Sequence, residues 1–102
     1  MSKEIRESKV EEYLVEKVKA IGGEVRKLKW IGRNGAPDRL VMYKGAHFVE
    51  VKRPRKDLES HQEREHKRMA AHDLSVWTLT TPFQVDIFIE WLGKPKRIER
   101  SR

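Results

Sequence analysis

The chain has 102 residues and no cysteine. That absence excludes a disulfide framework, a cysteine-based zinc or iron–sulfur site and a thiol nucleophile. Long apolar runs are also missing. The apolar stretches are short, broken by charge, and far below the roughly 20 residues a membrane span needs. The segment from Met1 to Val10 is charged and has no apolar signal region. There is no phosphate-binding Gly-rich loop followed by Lys-Ser/Thr, no Gly-x-Ser-x-Gly, no helix-turn-helix signature and no zinc finger. The four histidines, His47, His61, His66 and His72, lack metal-ligand spacing. A chain of this length has room for one small core, and none for a fold that binds a large organic cofactor.

What is abundant is charge, chiefly positive. Lys and Arg number 23 against 16 Asp and Glu, giving a net charge of +7 and a pI of about 9.9. That balance favours a polyanionic partner, and nucleic acid is the commonest. No repeat, low-complexity tract or long linker divides the chain. The expected organisation is one domain over 1–92 and a basic tail over 93–102, located in the cytoplasm.

The pattern predicts helix, three strands, helix, strand, helix. Val10, Leu14, Val18 and Ile21 form an apolar stripe at helical spacing over Glu4 to Ile21, capped by Ser2 or Ser8 and ended by Gly22-Gly23. Glu24 to Ile31 reads as a strand and Gly32 to Pro37 as a loop. Arg39 to Tyr43 and His47 to Lys52 read as a β-hairpin turning at Lys44-Gly45. Ser60 to Glu63 has capping-box spacing and opens a helix to about Ala71, left by a turn at His72-Asp73. Ser75 to Thr80 is a strand. Thr81, Pro82 and Gln84 then start a last helix to Leu92, with Phe83, Ile87 and Trp91 four residues apart. The strand–helix–strand step in the second half implies an α/β fold with a mixed sheet.

Period-two alternation puts Glu50 and Lys52 on one face of their strand and Val49 and Val51 on the other, in the core. Counting outward from the hairpin turn brings Asp38 roughly opposite Lys52, within two residues, and so near Glu50. Two converging carboxylates repel unless a cation neutralises them, and Mg²⁺, which takes oxygen ligands, is the natural one. Arg33 and Arg39 flank Asp38, while Arg53, Arg55 and Lys56 follow Lys52. These five cations bracket the pair and would contact the phosphates of a nucleic-acid partner, which is DNA in the resemblance that follows. The basic run Arg64 to Arg68 reads as a solvated face.

Gly35-Ala36-Pro37-Asp38, Glu50-Val51-Lys52 and Gln62 in the following helix resemble the PD-(D/E)xK nuclease superfamily. Glu7-Ser8-Lys9-Val10-Glu11, Gly22-Gly23, Asp38-Arg39-Leu40-Val41 and Phe48-Val49-Glu50-Val51-Lys52-Arg53-Pro54 narrow the resemblance to a stand-alone VRR-Nuc domain of the phage or bacterial, junction-resolvase-like type. The resemblance runs from about Glu7 to about Leu92. It implies a restriction-endonuclease-like αβββαβα core with a central mixed sheet flanked by helices. It also implies an Mg²⁺- or Mn²⁺-dependent endonuclease in a bacterial or phage-infected cell. Asp38, Glu50 and the Val51 carbonyl would bind the metal, with Glu7 or Glu11 from the first helix. Lys52 would orient the attacking water and stabilise charge on the phosphate, and Gln62 would serve the site. The expected activity is resolution of four-way DNA junctions by a homodimer, with Trp91, Phe83 or Tyr13 near the dimer interface. The alternatives are a flap or nicking nuclease, alone or with a partner protein, and a non-catalytic basic DNA-binding module.

Overall fold

The computed structural model describes residues 6–54 and 56–94. Arg55 and most of the basic tail lie outside them. The elements are α1 (Glu7–Ala20), β1 (Glu24–Lys27), β2 (Arg39–Met42), β3 (Ala46–Val51), α2 (Ser60–Ala70), β4 (Val76–Leu79) and α3 (Pro82–Gly93). Their order is the expected one. The sheet runs β1-β2-β3-β4, with the first two pairings antiparallel and β3-β4 parallel. Among the described residues no helix is long and apolar enough to cross a membrane.

Strand parity decides which residues meet which helices. Val41, Val49, Val51 and Leu79 share one face and form the core with Val10, Leu14 and Val18 of α1 and Val85, Phe88 and Leu92 of α3. Each is 4% exposed or less, and burying a side chain of this size contributes roughly 1.5–3 kcal/mol. Tyr13 Oη donates to Asp86 Oδ1 at 2.6 Å and ties α1 to α3 within the chain. Glu50 points to the opposite face, where α2 lies.

The helix ends correct the sequence reading in detail. Ser8 does not cap α1: the N-cap is Arg6, with no side-chain cap bond, so Ser8 falls inside the first turn. At the far end Gly22 takes φ +94, and the Gly22 and Gly23 N–H groups donate to the Lys19 and Val18 carbonyls, a glycine-closed terminus. Helix α2 is capped by Glu59, one residue earlier than expected, with Gln62 as its third residue. Lacking a glycine, it ends through Asp73 at φ 64, with Leu74 N–H on the Met69 carbonyl. Helix α3 starts as expected: Thr81 Oγ1 accepts from Gln84 N–H at 3.1 Å and Pro82 occupies the first turn. Its stripe at spacing four is not the buried one. Val85, Phe88 and Leu92 face inward, while Phe83 is 71% and Ile87 46% exposed.

Strand β1 is half its expected length. After Leu28, whose N–H still meets the Asp38 carbonyl at 3.0 Å, the chain leaves the sheet and crosses to α2. Gly35 sits there at φ +92, where a Cβ would lie 2.4 Å from the His61 carbonyl oxygen and 2.9 Å from Glu65 Cβ. Both strain and collision oppose any side chain, and the carbonyl belongs to helix backbone that does not yield. Gly35→Ala is expected to lower stability by at least about 2 kcal/mol. Urea unfolding would show this as a lower midpoint at unchanged slope; an unchanged midpoint would contradict the docking of this loop on α2.

Candidate active site

The β2-β3 register pairs Arg39 with Val49, so the next residue outward, Asp38, faces Glu50. This is two residues nearer the turn than the count gave, because Met42 pairs with Ala46 and the connection is Tyr43 to Gly45. Asp38 Oδ1 accepts from Val51 N–H at 3.3 Å, which fixes the carboxylate across the open end of the hairpin. Glu50 and Lys52 share the α2 side of β3. Neither is a solvated surface charge: Glu50 is 3% and Lys52 9% exposed. Lys52 N–H donates to the Leu79 carbonyl at 3.0 Å and anchors the strand end to β4.

Gln62 serves two residues at once. Its Oε1 accepts from Glu59 N–H at 2.9 Å, and its Nε2 donates to Glu50 Oε2 at 3.1 Å. The helix N-terminus thus orients the amide and leaves its NH₂ to the carboxylate. Glu50 Oε1 is buried and has no hydrogen-bond partner among the described residues. An unpartnered buried carboxylate oxygen is costly. Burial first, then the Asp38 charge, pushes Glu50 up to about 7, with Glu7 adding to the rise and Lys52 opposing it. Asp38 is also raised by burial. Its bond from Val51 and the Arg39 charge pull it down, while Glu11 and Glu7 push it up.

The two candidate acids of α1 differ. Glu11 is paired with Arg39 at 2.6 Å. Glu7, at the first position of α1, raises both Asp38 and Glu50, while Glu11 raises Asp38. Among the described residues no three His, Asp or Glu side chains are gathered closely enough to hold a metal ion by themselves. The donor set is therefore Asp38 and Glu50, with the Val51 carbonyl adjoining. A buried carboxylate oxygen lacking a donor, beside a second raised carboxylate, fits a hard divalent cation, which favours oxygen ligands.

Of the five bracketing cations, the structure turns one, Arg39, inward and ties a second, Arg33, by its Nε while leaving it exposed. Arg39 pairs across from Val49 and so shares the α1 face of the sheet. Its side chain is 13% exposed, bonded to Glu11 and to the Asp38 carbonyl at 2.7 Å, so it braces the site instead of pointing outward at DNA. Arg33 donates from Nε to Glu65 Oε1 at 3.2 Å but stays 54% exposed. Arg53 and Lys56 are exposed beyond Lys52; Arg55 lies outside the described residues.

The sequence reading missed Glu65. It is 6% exposed within what looked like a solvated basic run. It accepts from Trp30 Nε1 at 2.7 Å, Arg68 Nε at 2.9 Å and Arg33. Burial pushes Glu65 up, but the bonds from Arg68, Trp30 and Arg33 outweigh it and hold the carboxyl below its usual range. The available signal was spacing: Glu65 stands three residues after Gln62 and four before Met69, on the inward face of α2. His66, beside it, has a buried Nε2 with no partner among the described residues. Burial holds its imidazole below the usual range, with Glu65 pulling up and Lys52 pushing down.

The mixed sheet, the hairpin carboxylates and the buried lysine together define a restriction-endonuclease-like α/β domain. No family model matches the chain. A solved structure described as a VRR_NUC domain superposes with a TM-score of 0.76 at 41% identity, covering 82% of this chain and 94% of that one. "Putative nuclease p44" of Acyrthosiphon pisum secondary endosymbiont phage 1 is 44% identical over 69 residues, 66% of this chain and 74% of that protein. The chain belongs to the VRR-Nuc family.

Proposed function

We propose that the chain is an Mg²⁺- or Mn²⁺-dependent endodeoxyribonuclease that cuts branched DNA, four-way junctions first, as a homodimer. The observation that carries the hydrolytic part is Glu50, buried beside Asp38 with one oxygen that no described residue donates to. Asp38, Glu50 and the Val51 carbonyl would hold the ion, and Glu7 adds negative potential from α1. A bound divalent ion supplies an activated water and shields the phosphate oxygens. Lys52 holds its positive charge where negative charge grows on the phosphate. Gln62 keeps Glu50 in one orientation. Water adds to phosphorus in line and the P–O3′ bond breaks, leaving a 5′-phosphate and a 3′-hydroxyl. Arg33, Arg53 and Lys56 would hold the flanking phosphates, so affinity falls with salt.

Two considerations favour a dimer. Resolving a four-way junction takes two symmetric cuts, and each chain carries one such site; a two-fold pair supplies both. Phe83 and Ile87 present an apolar strip on the outer side of α3, the surface a second copy would cover.

The test is cleavage of an end-labelled immobile four-way junction, a 5′ flap and a plain duplex in Mg²⁺, Mn²⁺ or EDTA, with mass in solution measured in parallel. Paired symmetric cuts by a dimer, absent in EDTA, are expected. Cuts confined to the flap by a monomer would keep the hydrolysis and discard the resolvase role. Salt-sensitive binding without cleavage would leave a non-catalytic DNA-binding module.

A further inference from the structure

Ile31 is 98% exposed, more than any other large apolar residue described. It sits at the turn of the segment that leaves β1, between Trp30 and Gly32, and Gly32 takes φ +82. The segment is held on both sides of the isoleucine. Before it, the Trp30 indole N–H is bonded to Glu65; after it, Arg33 is bonded to the same carboxylate. Glu65 is itself 6% exposed and braced by Arg68. Gly35 then lies against the His61 carbonyl with no room for a side chain. A buried carboxylate that accepts from the indole before the exposed isoleucine and from the guanidinium after it, and is braced by Arg68 of its own helix, presents that apolar side chain in a fixed position.

The root of the segment is the site itself. Leu28 N–H is bonded to the carbonyl of Asp38, the residue whose carboxylate faces Glu50. Three peptide links from Leu28 to Ile31 span at most about 11 Å, or about three nucleotide steps along one strand. The surroundings are cationic: Lys29, two residues before Ile31, is exposed, and Arg33 and Arg68, which share Glu65 with Trp30, are half exposed. An apolar tip in a positive rim, rooted beside a phosphodiesterase site, suits insertion between bases whose phosphates are held by the rim. Apolar wedges of this kind unstack a base step, and unstacking is least costly where pairing is already interrupted.

We propose that Ile31 is a wedge that enters the base stack at a branch point, and that it supplies the preference for branched over continuous DNA. The proposal rests on the nuclease reading above and deepens it. It accounts for structure selectivity in a domain that carries no base-reading motif. In a continuous duplex the wedge meets a closed stack and contributes nothing. At a junction it occupies the gap between arms, within a few nucleotides of the scissile phosphate.

The test uses the full chain with Lys52→Ala, in EDTA, so that DNA is bound and not cut. Ile31→Ala and Ile31→Met are each added. Binding to an immobile four-way junction and to a duplex of the same sequence is measured, with 2-aminopurine placed at the branch. The parent protein is expected to raise the 2-aminopurine fluorescence. Ile31→Ala should abolish that rise and weaken junction binding by about tenfold, the scale of one aliphatic side chain no longer buried between bases, leaving duplex affinity within about twofold. Ile31→Met should retain most of both signals. Unchanged junction binding and fluorescence in Ile31→Ala would overturn the proposal, as would an equal loss on junction and duplex, or a change in oligomeric mass. If the parent protein binds neither DNA, the nuclease reading falls with it; if it binds both and Ile31→Ala is silent, only the wedge is lost.

Discussion

Lys52→Ala is expected to lower DNA cleavage by about 10²–10³-fold, the scale for removing one fixed electrostatic group from a water-poor site. Lys52 is 9% exposed and its backbone is pinned to β4. Its ammonium therefore acts at close range with little screening by solvent. The loss has a second component. Lys52 opposes the rise of the Glu50 pKa, so removing it leaves Glu50 protonated to a higher pH and weakens metal binding near neutrality. The two effects separate in a metal titration. At pH 7 the variant should need more Mg²⁺ than the wild type. At pH 9, where Glu50 ionises in both, the Mg²⁺ requirement should converge while the maximal rate stays low. Lys52→Arg is not expected to rescue, because a planar guanidinium is a poor substitute for a compact charge in a buried slot. A saturated rate within about threefold of wild type at pH 9 would remove Lys52 from the chemistry.

The reach of the sequence followed the physics of each element. Period-two alternation in Phe48 to Lys52 fixed which side chains share a face, and the hairpin turn fixed Asp38 near Glu50, because both depend on local backbone geometry. Thr81, Pro82 and Gln84 spelled out the start of α3 for the same reason. What the chain did not disclose locally was which charges are spent inside the protein. Arg39 and Arg33 look alike in sequence, as exposed cations beside Asp38. Strand parity turns Arg39 toward α1 and Glu11, whereas Arg33 rides a loop that closes on Glu65. Glu65 was hidden for the converse reason. Four basic or titratable neighbours made Arg64 to Arg68 read as solvent-facing, although its spacing from Met69 aimed it inward. Which apolar residues of α3 meet the sheet was not legible, because that helix is apolar on two sides and periodicity alone does not say which side is buried.

Glu50→Gln should abolish cleavage and, at pH 8 in EDTA, raise stability by up to about 3 kcal/mol. The carboxyl is raised to about 7 from an ordinary 4.5. Below about pH 4.5 it is protonated in the folded and unfolded chains alike and has no effect on the balance. Between 4.5 and 7 the folded chain keeps a proton that the unfolded chain has released, so stability falls as pH rises, and the loss is complete above about 7. Asp38, also raised, acts with the same sign. His66, lowered, acts with the opposite sign as pH climbs toward its ordinary value, so the wild-type curve alone mixes them. The difference between wild type and Glu50→Gln isolates Glu50, since a glutamine oxygen still accepts from Gln62 Nε2. Chemical unfolding at pH 4.5 and pH 8 should show near-equal stability at the first and a gap favouring the variant at the second. Adding millimolar Mg²⁺ at pH 8 should narrow the gap, because an ion that binds only the folded wild type stabilises it by mass action and has one ligand fewer in the variant. A variant no more stable than wild type at pH 8 would mean that Glu50 bears no such strain. A gap that ignores Mg²⁺ and Mn²⁺ alike would mean that the orphaned oxygen is not where the cation goes.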